Sequence, residues 1–286
     1  VEDKEGTFWL GTKKNITILT PNKNEPSAMS IDIINTGKIG MNKDGECILI
    51  FEDKQGNLWF SHTGLTKLVL PISYRRLGSE SKGSDGQKYD YFGVSTGVKS
   101  VHSLFEDREG NLWIGLGVGG VLRYRNKSLL TYTTAHGMSS DNVRAIVEDK
   151  KGNIWIGTSK GMSKFHPVNT DVHLLNQGKG FEIFRQYTSG GLNDVLIGGS
   201  VWSLLSDSRG NIWIGMGHGI TKYTPANGKR KKGRSENFNK KNGLKDPATM
   251  GLLEDSHGNI WAATFHGAAR ISPDVLKTGE KRLKLY

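Results

Sequence analysis

Three side chains, His102, Arg144 and Trp202, hold one place in three successive copies of a repeated segment, four residues before its acidic Glu-Asp or Ser-Asp pair. An imidazole, a guanidinium and an indole brought together there would form a cationic, aromatic-walled surface for a small anionic or carbohydrate-like ligand. Two residues earlier the copies carry Glu46, Ser100, Asn142, Ser200 and Ala248, and just before a later glycine they carry Thr63, Gly119, Lys160, His218 and His266. Ligand contacts are therefore assigned to His102, Arg144, Trp202, Lys160 and Asn142. The matched histidines His218 and His266, with Glu46, Asp141 and Asp194 as oxygen donors, would suit Ca2+ or Mg2+. If those groups converge, His218 and His266 are the candidate catalytic residues of a metal-assisted hydrolysis or elimination. A solvated imidazole at a loop tip is the commoner use of such a histidine.

What positions these residues is a phrase that the chain repeats six times, cleanest as Glu148-Asp149-Lys150-Lys151-Gly152-Asn153-Ile154-Trp155-Ile156-Gly157-Thr158. It reads as a β-hairpin: the apolar run 143–147, a four-residue turn that starts on Asp and ends on a left-handed Gly, then a returning strand. Six of the seven tryptophans, Trp9, Trp59, Trp113, Trp155, Trp213 and Trp261, occupy the same place in the copies, 42 to 58 residues apart. An Asp, a Gly and a Trp repeated this way are framework: the carboxylate accepts N–H groups of its own turn, and the indole fills the wedge between units with its N–H bonded outward.

Each copy carries four short strands. In the third they span 100–105, 111–115, 121–125 and 128–133, with outer strands at 181–188, 237–241 and 281–286 in the last three copies. Insertions at 73–98, 168–180 and 228–235 read as loops on that frame. The predicted fold is all-β: a single domain over residues 1–286, a six-bladed β-propeller of four-stranded antiparallel blades. The first blade should lack most of its inner strand, and the segment 281–286 should be an outer edge strand of the last.

Glycine is abundant, 38 in 286 residues, and proline scarce at 7, which suits many tight turns rather than disorder. The single Cys47 excludes a disulfide framework within the chain. No stretch approaches the roughly 18 apolar residues of a membrane-spanning helix. The net charge of +11 is concentrated in part at Lys229, Arg230, Lys231, Lys232 and Arg234. No basic stripe interleaved with stacking aromatics accompanies it, so a nucleic-acid partner is not expected.

The phrase resembles the two-component regulator propeller repeat, found in the extracytoplasmic sensor regions of bacterial hybrid histidine kinases. That resemblance implies a ligand-binding sensor domain, periplasmic or extracellular, within a larger signalling chain or complex, with a small molecule or oligosaccharide as partner. The stretch Ser206-Asp207-Ser208-Arg209-Gly210-Asn211-Ile212-Trp213 is also similar to the Asp box of sialidases. Streptogramin-lyase-like propellers repeat a related Gly-Asn-x-Trp-Phe phrase and use histidine, glutamate and a divalent metal. A metal-dependent hydrolase or lyase is accordingly the second reading.

Overall fold

The computed structural model describes residues 1–4, 6–12, 15–22, 25–35, 49–61, 64–68, 89–165, 184–187, 196, 199–226, 232–242, 244, 247–272 and 284–285. Their regular structure is strand throughout, apart from three-residue 3-10 turns at Val94–Thr96, Thr134–His136 and Lys240–Asn242. The chain divides into two compact units: residues 1–106 with 116–118, and residues 107–115 with 119–286.

The first unit holds a three-stranded antiparallel sheet, β1 (Phe8–Gly11), β2 (Asn15–Asn22) and β3 (Glu25–Asn35). Its expected inner strand is reduced to an isolated bridge between Glu2 and Phe8. A four-stranded sheet follows, β4 (Leu49–Glu52), β5 (Leu58–Ser61), β6 (Leu65–Leu68) and β7 (Tyr89–Phe92), then strand β8 (Val101–Glu106). In the second unit β9 (Leu112–Leu116), β10 (Val121–Arg125) and β11 (Ser128–Tyr132) pair in sequence. Three four-stranded sheets come next. They are β12–β15 (Val143–Glu148, Ile154–Thr158, Gly161–Phe165, Phe184–Tyr187), β16–β19 (Val201–Ser206, Ile212–Met216, Gly219–Thr224, Arg234–Phe238) and β20–β23 (Thr249–Glu254, Ile260–Thr264, Gly267–Ile271, Lys284–Leu285). Leu285 pairs with Ala269, so the last strand is the outer one of its own sheet. Two insertions read as loops contain strand: β7 lies within 73–98, and β19 starts at Arg234 rather than 237.

The Asp turn is a lock rather than a simple reversal. In the fourth copy Asp149 Oδ1 accepts the N–H of Lys151 and of Asn153, and Oδ2 accepts the Trp155 indole N–H at 2.9 Å. Gly152 closes the turn at φ 81°, a region that a side chain makes costly. All six copies make the Trp-to-Asp bond at 2.8–2.9 Å, so the indole N–H turns inward to its own hairpin rather than outward. A buried indole donor and a buried carboxylate satisfy each other, which removes two desolvation penalties at once.

Five of the six repeat tryptophans also face a basic partner across the next strand, while Trp9 faces Ile18. Lys67, Arg123, Lys164, Lys222 and Arg270 stand opposite Trp59, Trp113, Trp155, Trp213 and Trp261 in register, with their charged groups 5.2–5.9 Å from the ring centroids. Part of the basic excess is thus cation–π packing. Aromatic residues ending the outer strands stack on the same rings, as Phe92 does on Trp59 and Phe238 on Trp213.

Neighbouring sheets are joined at the Asp turns. The carboxylate of Glu106 accepts the Lys54 N–H at 2.6 Å, that of Glu148 accepts the Arg108 N–H at 2.9 Å, and that of Glu254 accepts the Ser208 N–H at 2.6 Å. In return Arg108 donates to the carbonyls of Asp149 and Lys150. Where Ser206 replaces the glutamate, Lys150 instead donates to the Ser208 carbonyl. Beneath these joints the tryptophan side of one sheet packs on the opposite side of the next: Trp155 with Ile212, Ile214 and Tyr223, then Trp213 with Ile260, Ala262 and Ile271.

Candidate functional site

In the second unit the joined Asp turns mark one end of the strands, and the starts of β12, β16 and β20 lie at the other. Strand β16 contacts both its neighbours, β12 and β20, directly. Strand starts and hairpin tips share that end within each sheet, because Val143 pairs with Thr158, Val201 with Met216 and Thr249 with Thr264, immediately before the next turn.

Arg144, Trp202 and Met250 sit at breaks in register. Pairing skips from Val143 to Ala145, from Val201 to Ser203 and from Thr249 to Gly251, so each is the extra residue of a β-bulge. A bulge turns one side chain away from the ordinary alternation and bends the strand. The same position in three consecutive repeats is therefore re-aimed by the backbone, a device that period-two reading of the sequence misses.

The polar residue two places earlier holds two of these re-aimed side chains, whereas Ala248 stands at that place before Met250. Asn142 Oδ1 accepts Arg144 Nε at 3.4 Å, and Ser200 Oγ accepts the Trp202 indole N–H at 3.1 Å. In the first unit His102 Nε2 and Ser100 Oγ make the equivalent contact at 3.2 Å. Glycine makes room for one of the rings: a Cβ at Gly117 would lie 2.5 Å from the His102 ring, whereas one at Gly217 would meet the Trp202 ring at 3.5 Å, an ordinary contact.

Phe265 occupies the hairpin place held by Gly117, Ser159 and Gly217 in other copies. It is 67% exposed and meets Trp202 edge-on, with ring centroids 6.4 Å apart and planes at 71°. Sequence reasoning passed over it, although its departure from small residues at that position was the available signal. Lys160, His218 and His266 are exposed at the three hairpin tips. Two of these tips are fixed by threonines: Thr158 Oγ1 donates to the Gly161 carbonyl and Thr264 Oγ1 to that of Gly267, each at 2.9 Å.

The oxygen donors proposed for a metal fare differently. Asp141 accepts the Thr134 N–H at 2.6 Å and the Thr134 hydroxyl at 3.2 Å, so its carboxylate is engaged in capping the turn Thr134–His136. Glu46 and Asp194 lie outside the described residues, as does Thr63. Among the described residues no three His, Cys, Asp or Glu side chains gather as a metal-binding group.

Comparison with known proteins agrees with this arrangement of repeats. The two component regulator propeller family matches residues 97–117, 137–160 and 195–218. Among curated proteins there is no match. An extracellular domain ascribed to a hybrid two component system of B. thetaiotaomicron superposes with a TM-score of 0.69 at 21% identity, over 97% of this chain and 34% of that one. A second B. thetaiotaomicron extracellular domain, ascribed to a one component system, gives 0.65 at 22% identity, over 100% and 36%. Virginiamycin B lyase from Staphylococcus aureus gives 0.56 at 13%, over 83% and 68%. At these identities the likeness is one of fold. The chain spans about a third of the length of the two extracellular domains. Among the described residues no helix is long and apolar enough to cross a membrane.

Proposed function

We propose that this chain, whose segments 97–117, 137–160 and 195–218 are two-component regulator propeller repeats, is a sensor-type ligand-binding domain of a bacterial periplasmic or extracellular protein. Its six repeats would form the blades of one propeller. The ligand is a small anionic or carbohydrate-like molecule, taken up at the strand starts of the second unit and recognised rather than turned over.

The observation that carries this reading is the Trp202–Phe265 pair. An exposed phenylalanine set edge-on to a half-buried indole offers an apolar platform that a sugar ring can cover. The indole is anchored through Ser200, so little side-chain freedom is lost on binding. Arg144, Lys160, His218 and His266 stand on the same end of their sheets and supply donors for a carboxylate, sulfate or phosphate substituent. Asn142 steadies the guanidinium. Sensor-type neighbours ascribed to two component and one component systems support the same class of role.

The experiment is calorimetric screening of neutral and acidic oligosaccharides against the wild type, followed by Trp202→Ala, Phe265→Ala and Arg144→Ala. The reading expects at least one acidic oligosaccharide whose affinity falls about tenfold or more in the Trp202 and Arg144 variants. A ligand bound equally by all three variants would place recognition elsewhere.

A further inference from the structure

Links of one shape lead into three of the inner strands. Each is a 3-10 turn followed by a glycine and a buried apolar residue: Val94–Thr96 before Val98, Thr134–His136 before Met138, and Lys240–Asn242 before Leu244. The last place of the turn is held by Thr96, His136 and Asn242 in the three links.

The groups that close these turns differ in chemistry. Thr96 Oγ1 donates to the Gly93 carbonyl at 2.7 Å, and Asn239 Oδ1 accepts the Lys241 N–H at 3.0 Å, and neither group titrates near neutrality. In the link into β12 the closing group is the His136 ring, whose Nδ1 lies 3.0 Å from the Thr133 backbone nitrogen and 3.1 Å from Thr133 Oγ1. A backbone N–H can only donate, so Nδ1 carries a lone pair and the single ring proton sits on Nε2. Protonation of Nδ1 would set two donors against each other and break the closure.

The same turn is tied to the strand start that carries Arg144. The Asp141 carboxylate accepts the N–H and the hydroxyl of Thr134, and the Asp141 carbonyl accepts the Gly120 N–H at 2.9 Å. The carbonyl of the next residue, Asn142, accepts the Ser159 N–H at 3.0 Å, and its side chain holds Arg144 Nε. From imidazole to guanidinium the path is one turn, one carboxylate and one amide. The other titratable and charged groups about the ring are the Tyr132 phenol from β11, edge-on with centroids 6.1 Å apart, the Arg123 guanidinium from β10, 5.9 Å from the centre of that tyrosine ring, and Asp141 itself.

We propose that His136 is a positioning residue that works as a proton-operated latch on the link into β12. Neutral, it closes the turn that places Asp141, Asn142 and Arg144; protonated, it opens the turn and loosens the guanidinium. The cation offered to an acidic ligand is thus best ordered at neutral pH and less ordered in mild acid. As regulation of that site the proposal rests on the ligand reading above, but its test needs no ligand, so either can fail without the other.

The test is NMR of the 286-residue chain at about pH 7.5 and about pH 5, the interval in which histidine takes up its proton, beside His136→Asn. Asparagine keeps an acceptor oxygen near the place of Nδ1 and does not titrate. The expected wild-type result is a bare Nδ1 at the higher pH. On acidification, amide protection at Thr133 and Thr134 falls about tenfold or more, together with the order of the Arg144 Cδ methylene. His136→Asn keeps both at either pH. A proton on Nδ1 at the higher pH overturns the proposal, as does unchanged protection on acidification. An equal response in His136→Asn overturns it in favour of other histidines. Opening of the turn with Arg144 unchanged overturns it as well, because His136 would then hold only its own turn.

Discussion

The carboxylate of Glu254 accepts both the backbone N–H and the hydroxyl of Ser208, each at 2.6 Å, so one side chain of the last sheet holds the turn of the sheet before it. Glu254→Ala leaves two donors to water at an exposed site and should lower stability by about 1 kcal/mol, less at high salt. Glu109→Ala, which breaks only the exposed 3.6 Å pair with Arg125, should change it by about 0.5 kcal/mol or less. Urea unfolding at low and high salt distinguishes the two.

Acid should loosen the hairpin locks. Burial pushes the Asp149 carboxyl up, but the bonds it accepts from Trp155, Asn153 and Lys151 outweigh this and hold it below its ordinary value. A carboxylate depressed on folding contributes stability that is complete above its unfolded pKa and is lost as pH falls through the folded one. Stability should therefore be level above about pH 5 and decline below about pH 4. Asp149→Asn should cost about 2–3 kcal/mol at pH 7 and flatten part of that decline, as read by denaturant titrations across the range.

Tryptophans in equivalent places should differ in worth. Trp155→Ala empties a fully buried site between two sheets and should cost about 3–5 kcal/mol. Trp261→Ala, at a half-buried place, should cost clearly less, about 1–2 kcal/mol. Thermal melts of the two variants side by side check the order.

Recognition and turnover separate under a chelator. On the binding reading, EDTA leaves the affinity for an acidic oligosaccharide unchanged, while Arg144→Ala weakens it by about 1.5–3 kcal/mol without lowering stability. Loss of affinity with EDTA, regained on adding Ca2+ or Mg2+, would revive the hydrolase or lyase reading and direct attention to His218 and His266.

The hairpins were legible because their chemistry is local: an Asp, a Gly and a Trp at fixed spacing dictate a turn whatever surrounds it. The isolated bridge at Glu2 and the outer strand at Lys284–Leu285 followed from the same spacing. Strand β7 was missed because its residues have no phrase of their own and are ordered by pairing with β6. The site was harder to read. Arg144 and Trp202 could be singled out as variable polar positions on a fixed frame, but the bulges that aim them depend on register between strands. Phe265 needed a partner 63 residues away in sequence, Trp202, before its exposure had meaning.

The bulges also bear on how such a chain can change over generations. They sit at the starts of their strands, where Arg144 and Trp202 bond the residue two places earlier, whereas the Asp locks and inter-sheet joints lie at the far end of the same strands. Substitutions at Arg144, Trp202 or Met250 are thereby uncoupled from the residues that hold the frame. Each repeat behaves as a cartridge with two interchangeable letters, one on the bulge and one at the hairpin tip. A lineage that shuffles whole repeats can rewrite its recognition surface while inheriting an intact scaffold.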